Sequence, residues 1–538
     1  MTIQTPILIV GAGPVGLALA GDLGWRGIPC VIIEQSDGSI YQPRMDMVGV
    51  RTMEFCRRWG IVGDVEQSPY PRDYPQDNIY MAGSLVKGWE IGRYPNPPMG
   101  EEEPPPQSPQ KRERCPQNMF DPILQKFARS FETVDLRYRH RFESLSQIDD
   151  GVTAMVTDLE TDETLNIDAR YVVGCDGAGS AVRSAVGIGM EGNPALTYTT
   201  NVIFRCDGFE ALHGIPLGYR FILLGTEGTW ATIVAINGRD QWRFSIVRSS
   251  DIPRELTEDE VRDAIARAVG IEFDYEILSI LPWTRRELVA DRYRESRVFV
   301  CGDAAHMMSP TGGFGMNTGI GDAVDLSWKL AATLEGWGGD RLLHSYDSER
   351  RPVGARNVAE ASGNLGRMLL GDNMDRLLDR TAAGETARHQ VGLEFSERMK
   401  REWQTLGVHL GYRYEGSPVC VPDSTDAPPD NPNLYAQTAR PGSRAPHVWL
   451  ADGSSTLDLF GTGFVLLVLR DNAPDPEPLA STARRCKMPL DLVRVREEDV
   501  AAAYETALVL VRPDGHVAWR GDALPDHPER IIETVRGA

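Results

Sequence analysis

The chain has 538 residues, and its 77 Asp and Glu outnumber 56 Lys and Arg to give a net charge of −21. With no polybasic stretch to offset that charge, most of the surface repels duplex nucleic acid and anionic membranes. No run reaches the ~18 uninterrupted apolar residues that stable membrane insertion needs, while the length allows several cores at the usual ~100–200 residues per domain.

Ile7-Leu8-Ile9-Val10 predicts a buried strand, Gly11-Ala12-Gly13-Pro14-Val15-Gly16 a tight turn into a helix, and Cys30-Val31-Ile32-Ile33 a second strand that ends at Glu34 and Gln35. In this frame Gly11 permits the turn, Gly13 lets the backbone approach a pyrophosphate, and Gly16 lets the helix pack on the strand. The helix start offers amides and a partial positive charge to phosphates. Glu34, 18 residues after Gly16, is placed to accept hydrogen bonds from ribose hydroxyls. Gly27 suits a left-handed helix cap and Pro29 cannot continue the helix. The strand begins almost at the first residue, leaving no room for a signal peptide.

Residues 69–122 are rich in proline, with Pro104-Pro105-Pro106 after Glu101-Glu102-Glu103, and read as an irregular, exposed and mobile insertion. Gly151 to Val156 and Leu165 to Ile167 read as strands, and Tyr171-Val172-Val173-Gly174-Cys175 as a buried one that runs into Asp176-Gly177-Ala178-Gly179-Ser180-Ala181-Val182-Arg183. Asp176 there suits a ribose or the orientation of the loop, and Arg183 a phosphate. A second GxGxxG, Gly187 to Gly192, has no strand leading into it and no acidic partner at strand spacing, so it reads as a chance match. Four strands follow, Thr199 to Phe204, Tyr219 to Leu224, Thr229 to Ala235 and Trp242 to Val247, an antiparallel sheet suited to the floor of a small-molecule pocket.

Arg297 to Cys301 is another buried strand, ending in Gly302-Asp303. Pro310-Thr311-Gly312-Gly313-Phe314-Gly315-Met316-Asn317 then opens a helix over 319–336, whose Ile320, Val324, Trp328, Ala331 and Leu334 share one face. Such a loop accepts anions and brings N–H groups against a flat ring. Residues 340–412 are charged amphipathic helix, Pro422 to Pro432 a linker, and the remaining ~110 residues suffice for a further domain. Its central strands are Phe464 to Leu469 and Ala507 to Val511, with Arg512-Pro513-Asp514-Gly515 turning into Val517-Ala518-Trp519.

The nine histidines form no HExxH or close pair, GxSxG and the GxxxxGK[ST] phosphate loop are absent, and the eight cysteines hold no CxxC, so metal and hydrolase chemistry are not indicated. Thiols in strand-like runs fit a reducing, cytoplasmic compartment.

The GxGxxG frame, the Asp176-Gly177 stretch and the Gly302-Asp303 stretch, in this order, resemble the single-component FAD-dependent aromatic hydroxylases over about residues 5–355, ending in Tyr346-Asp347-Ser348-Glu349-Arg350-Arg351-Pro352. The tail, from Arg440-Pro441-Gly442-Ser443-Arg444-Ala445-Pro446 to Arg512–Arg520, resembles the thioredoxin-like domain of the phenol hydroxylase branch. It lacks a redox cysteine pair, so a structural or assembly role is expected. The resemblance implies an α/β chain: a Rossmann-like FAD-binding domain (1–75, 110–190 and 285–360), an inserted antiparallel-sheet substrate domain (76–109 and 191–284), a helical segment and linker (361–425), and a thioredoxin-like C-terminal domain (426–538).

It also implies site residues. Gly11, Gly13, Pro14, Gly16, Glu34 and Gln35 would hold the adenosine half of FAD, and Arg44 its pyrophosphate side. Gln117 would touch the flavin. Asp176, Gly177 and Arg183 belong to the stretch linked to both FAD and NADPH. Gly302 and Asp303 would bind the ribityl chain, and Pro310, Gly313, Gly315, Met316 and Asn317 the flavin's pyrimidine edge. Asp46 aligns with the family's phenol-activating aspartate and is the expected catalytic base, since a phenol of pKa about 10 reacts best as its phenolate. His306 reads as packed rather than catalytic, while Tyr219 and Trp242 read as core residues that could also line a pocket. The implied reaction is hydroxylation of a phenolic substrate with NADPH (or NADH) and O2 through a flavin C4a-hydroperoxide; a homodimer is left open. Polyketide-tailoring, epoxidising or Baeyer–Villiger chemistry on the same scaffold is the alternative. No WxWxIP stretch points to a halogenase.

Overall fold

The computed structural model describes residues 2–41, 43–148, 150–247, 252, 254–369 and 374–538. The apolar runs read from the sequence assemble into a parallel sheet in the order Val298–Val300, Glu163–Gly174, Thr2–Val10, Cys30–Ile33 and Val134–Arg137. Side chains alternate across it. Ile7, Ile9 and Val173 face the helices Pro14–Trp25 and Phe314–Leu334, while Leu8, Val10 and Val172 face the hairpin His140–Ile148 and Gly151–Asp158. Both faces are covered, which is why these strands read as continuous apolar runs rather than alternating ones.

A second sheet of eight strands runs His306–Met307, Glu276–Ala290, Met190–Arg205, Gln241–Val247, Gly228–Ala235, Arg220–Gly225, Asn78–Ala82 and Trp89–Tyr94. It is antiparallel except where Arg220–Gly225 pairs in parallel with Asn78–Ala82. One face packs Val202, Phe204, Phe221, Trp242 and Phe244 against the helix Glu258–Val269. That helix is closed by a Thr257/Glu260 capping box and Gly270 at φ +90°. Part of the opposite face, at Tyr80, Ile222 and Leu224, packs on the helices Ser345–Leu369 and Ala382–Trp403; the rest is open.

The last two strands correct one expectation. Residues 69–122 are not simply an exposed insertion, because Asn78–Ala82 is buried throughout and belongs to the sheet. The run Ile79-Tyr80-Met81-Ala82 is short, and the surrounding prolines obscure it. The Gly187–Gly192 match opens a strand, Met190–Arg205, rather than a helix. The helix predicted over 319–336 begins earlier, at Phe314, so the glycine loop supplies its cap and first turn.

The C-terminal unit is a four-stranded sheet, Leu490–Arg494, Phe464–Val468, Leu508–Val511 and Val517–Gly521, with helices that include Glu477–Arg485 and Glu529–Val535. Phe464, Leu466 and Leu508 share a core with Trp328, Ala332 and Trp337 of the larger unit. Beside it, Arg512 pairs with Asp514, Glu349 and Asp325, and Lys329 with Asp325 and Glu349, all at 2% exposure or less. Burial of this kind is costly; three carboxylates face two cations here, and burial raises the Asp325 carboxyl to about 8 against the pull of Lys329 and Arg512.

Candidate active site

One cavity of about 1300 Å³ runs from the C-terminal edge of the parallel sheet to the open face of the second sheet. Single-ligand pockets are usually ~300–1,000 Å³, so there is room for more than one molecule.

At the nucleotide end, Gly11 has φ +103°, and a Cβ there would lie 2.4 Å from the Cys175 carbonyl oxygen. A Cβ on Gly16 would meet the Gly11 oxygen at 1.9 Å. Gly13 differs: its Cβ would meet nothing within 4 Å, because the residue faces the cavity at the helix start. Glu34 accepts hydrogen bonds from the amides of Ala12 (3.0 Å) and Ser36 (2.8 Å). Those bonds fix the turn and leave lone pairs for ribose hydroxyls. Gln35 lines the same wall.

Gln117 ties the next wall together. Its Oε1 accepts from the Arg44 amide (3.0 Å) and its Nε2 donates to Asp121 (3.1 Å). Burial raises the Asp121 carboxyl to about 7, against the Gln117 bond. The Arg44 guanidinium lies over the Trp283 ring, 5.8 Å from its centroid, and is in no ion pair among the described residues. Asp303 opens onto the cavity, where enclosure by protein raises its carboxyl against the pull of His306 and Arg44. Gly312 and Gly313 take φ +93° and +68°, and Gly313 caps the helix Phe314–Leu334, whose first turn lines the cavity with Gly315 and Met316.

Asp176 and Gly177 line the cavity, but the Asp176 carboxylate is engaged by Ser180 Oγ (2.5 Å) and the Val182 amide (3.1 Å). It orients the loop. Four sequence candidates lie behind the lining. Gly16 and Gly302 make room for packing, the latter against Val15. Arg183 donates to the carbonyls of Ala304 and Ala178, both at 3.0 Å, so it ties two loops together instead of meeting a phosphate. Asn317 bonds Gly49 N, Thr52 Oγ1, Met47 O and Gly313 O, stitching the Asp46 segment to the glycine loop. His306 is fully buried with Nε2 2.8 Å from Asp322 Oδ2, as expected for a packed histidine.

At the sheet end, Asp46 Oδ1 accepts from Arg114 (3.0 Å), and Oδ2 from the Tyr219 hydroxyl and, at 3.5 Å, from Arg243. Burial alone would raise this carboxyl; Arg114, Arg243 and the Tyr219 bond overcome it and hold it below the usual carboxylate range. Asp46 is therefore ionised and already solvated by protein, a good acceptor and a weak base. Burial raises the Tyr219 phenol above its ordinary value. Arg220 makes a bidentate pair with Glu402 (2.9 and 2.7 Å). Burial lowers Arg285 to about 10. Trp242 faces the opposite core, one residue out of phase with Arg243.

Arg114, Arg220, Arg243, Arg285 and Glu402 were not foreseen. A signal existed for Arg243: Thr199/Asn201 and Arg243/Ser245 fall on alternate positions of strands whose other positions are core, whereas between Leu281, Trp283 and Arg285 the intervening Pro282 and Thr284 are not buried. A polar, cavity-facing stripe on a sheet has that period of two.

Two family models cover this architecture: a FAD binding domain at residues 4–361 and an aromatic-ring hydroxylase C-terminal domain at residues 438–538. The chain belongs to the FAD-dependent aromatic hydroxylases. This hydroxylase is 31% identical to the FAD-dependent monooxygenase apdD of Emericella nidulans, over 99% of this chain and 90% of the relative. It is 31% identical to the 2,4-dichlorophenol 6-monooxygenase of Delftia acidovorans, over 96% and 95%. Among solved structures, chromopyrrolic acid-soaked RebC with bound 7-carboxy-K252c matches at TM-score 0.92 and 38% identity, covering 100% of both chains. The hydroxylase is thus a flavin-dependent monooxygenase of aromatic substrates. Among its described residues no helix is long and apolar enough to cross a membrane, and no group of three or more His, Cys, Asp or Glu is placed to hold a metal ion.

Proposed function

We propose that the hydroxylase uses NADPH or NADH and O2 to hydroxylate a phenolic ring held on the open face of the second sheet, with Asp46 as the acceptor for the phenol hydroxyl. The observation that carries this is the Asp46 carboxyl, set among Arg114, Arg243 and Tyr219, in the same cavity as the dinucleotide turn. The residues present fit FAD. Gly13 leaves open space at a helix N-terminus where a pyrophosphate would lie, and Arg44, in no ion pair among the described residues, lines the same cavity. Glu34 would hold the ribose, Asp303 the ribityl chain, and the helix start at Gly313 to Met316 the flavin's electron-rich edge. Bound there, FAD supplies hydride acceptance and oxygen activation.

The chain's own residues do the rest. Asp46 accepts the hydrogen bond of the substrate hydroxyl, taking the place Tyr219 holds now, and so points the ring carbons toward the flavin loop. Its depressed pKa suits it to polarising that O–H rather than removing the proton outright. Arg243 and Arg114 stabilise charge that develops on the phenol oxygen. The apolar rims of Trp283, Leu281 and Met47 exclude water.

The cavity is lined by five adjacent strands of the second sheet, ~20 Å across at ~4.8 Å per strand, a floor wide enough for a polycyclic arene. That keeps the polyketide-tailoring reading alive, with epoxidation or Baeyer–Villiger oxygenation as its variants. The order of strands and helices in the C-terminal unit supports a thioredoxin-like fold with a structural role, since Cys486 is its single cysteine. Eight free cysteines support a cytoplasmic setting.

The test is flavin absorbance of the purified protein, followed by NADPH and NADH consumption across phenols, naphthols, polycyclic quinones and ketones, with product analysis. Phenol- or naphthol-stimulated oxidation that yields ring-hydroxylated product supports the proposal. Turnover confined to ketones or quinones supports the alternative, and protein without flavin overturns both.

A further inference from the structure

Among the described residues the cavity floor carries more cationic than anionic side chains: Arg114, Arg220, Arg243 and Arg285 gather around Asp46 and Glu402. Arg220 is matched by Glu402, and Arg114 and Arg243 share Asp46. Arg285, only 6% exposed, has no carboxylate partner among the described residues. Two neutral hydroxyls hold its guanidinium: Nε donates to Thr199 Oγ1 at 3.1 Å and Nη1 to Ser309 Oγ at 3.3 Å. A guanidinium has five N–H donors. No acceptor among the described residues meets the remaining donors, and Arg285 lines the cavity.

Glu402 acts on Arg285 without contacting it and is already held bidentately by Arg220, so the enclosed Arg285 guanidinium has no carboxylate of its own; a bidentate carboxylate is its best-matched partner. Resting on the proposed arene site, we infer that the substrate carries a carboxylate and that Arg285 binds it. The position fits. Ser309 leads directly into the Pro310–Gly315 loop, so the acid group would lie at the flavin-loop end of the floor. Along Met190–Arg205, Arg285 sits opposite Thr197 and Arg243 opposite Ile203. Six residues are ~20 Å of strand between the two backbones, while the two guanidiniums lie close enough for Arg243 to act on Arg285. The natural substrate is then an arenecarboxylic acid whose hydroxyl and carboxylate lie at opposite ends of a fused-ring or extended skeleton.

The test uses the FAD-loaded enzyme and a matched pair, 6-hydroxy-2-naphthoic acid and 2-naphthol, with Kd read from perturbation of the flavin spectrum at fixed salt and pH. Wild type is expected to bind the acid at least tenfold more tightly than the naphthol. In R285Q that preference should disappear while the 2-naphthol Kd stays within about twofold, which also reports that the site is folded; R285K should retain part of it. Equal affinities in wild type overturn the inference, as does a preference that survives in R285Q. If R285Q does not fold, the wild-type pair and R285K decide. If neither compound perturbs bound flavin and neither is hydroxylated, the arene site itself fails and the inference falls with it.

Discussion

Replacing Asp46 by Asn keeps the shape and one oxygen acceptor but removes the charge. Two effects follow, and they are separable. The first is on stability. Arg114, whose side chain is 2% exposed, loses its ion-pair partner among the described residues, and Arg243 loses its weaker contact. Removing one partner of a fully buried pair costs ~3–5 kcal/mol. Asp46 is 20% exposed toward the cavity, and the amide oxygen still accepts one bond, so a loss of ~1–3 kcal/mol is expected. The second effect is on chemistry. Positioned acid–base groups contribute ~10²–10⁴-fold. With a pKa held below the usual range, Asp46 belongs at the lower end, ~10²-fold, or ~2.7 kcal/mol of barrier. The assay is product formed per NADPH consumed in the FAD-loaded variant, with peroxide measured in parallel and Tm by calorimetry. Flavin content should persist, hydroxylated product should fall and peroxide should rise. An unchanged product-to-NADPH ratio would refute the assignment, and a lost flavin would show that Asp46 belongs to the cofactor seat.

Three further outcomes test the frame. Gly13→Val should leave the flavin-free protein folded, because a side chain there meets open cavity, yet weaken FAD binding at least tenfold by equilibrium dialysis; Gly16→Val should destabilise the fold itself, since its Cβ would overlap the Gly11 oxygen. Asp121 binds its proton more tightly folded than unfolded, so the flavin-free protein should lose stability as pH rises from about 4 to about 7, by up to ~4 kcal/mol at 1.36 kcal/mol per unit; Asp121→Asn should flatten that slope in urea melts, and an unchanged slope would count against it. Arg512→Met removes the Asp514 ion-pair partner and leaves Glu349 and Asp325 to share Lys329, and should cost ~3–5 kcal/mol, read as a fall in Tm or early release of the C-terminal unit under limited proteolysis.

How much was legible depended on whether a residue's task is local. The turn Gly11–Gly16 and the strand end at Glu34 follow from steric demands within one βαβ unit, so spacing alone located them. The same holds for Gly312 and Gly313, whose positive φ values cap the following helix. Arg183 and Asn317 have the right types and spacing yet turn away from the cavity, because their partners, Ala304 and Met47, are remote in sequence. Arg220, Arg285 and Glu402 were invisible for the converse reason. Glu402 comes from a helix far along the chain and meets Arg220 only once that helix packs against the second sheet. The parallel pairing of Asn78–Ala82 with Arg220–Gly225 carried no local signature either.

The most direct test of the whole account is turnover of the FAD-loaded enzyme with 2-naphthol under ¹⁸O₂, with NADPH consumption and product mass followed together. One labelled oxygen on the ring for each product molecule, with wild type making more product per NADPH than Asp46→Asn, is the predicted result. Product oxygen drawn from water, or NADPH oxidation that releases only peroxide whichever arene is supplied, would contradict it.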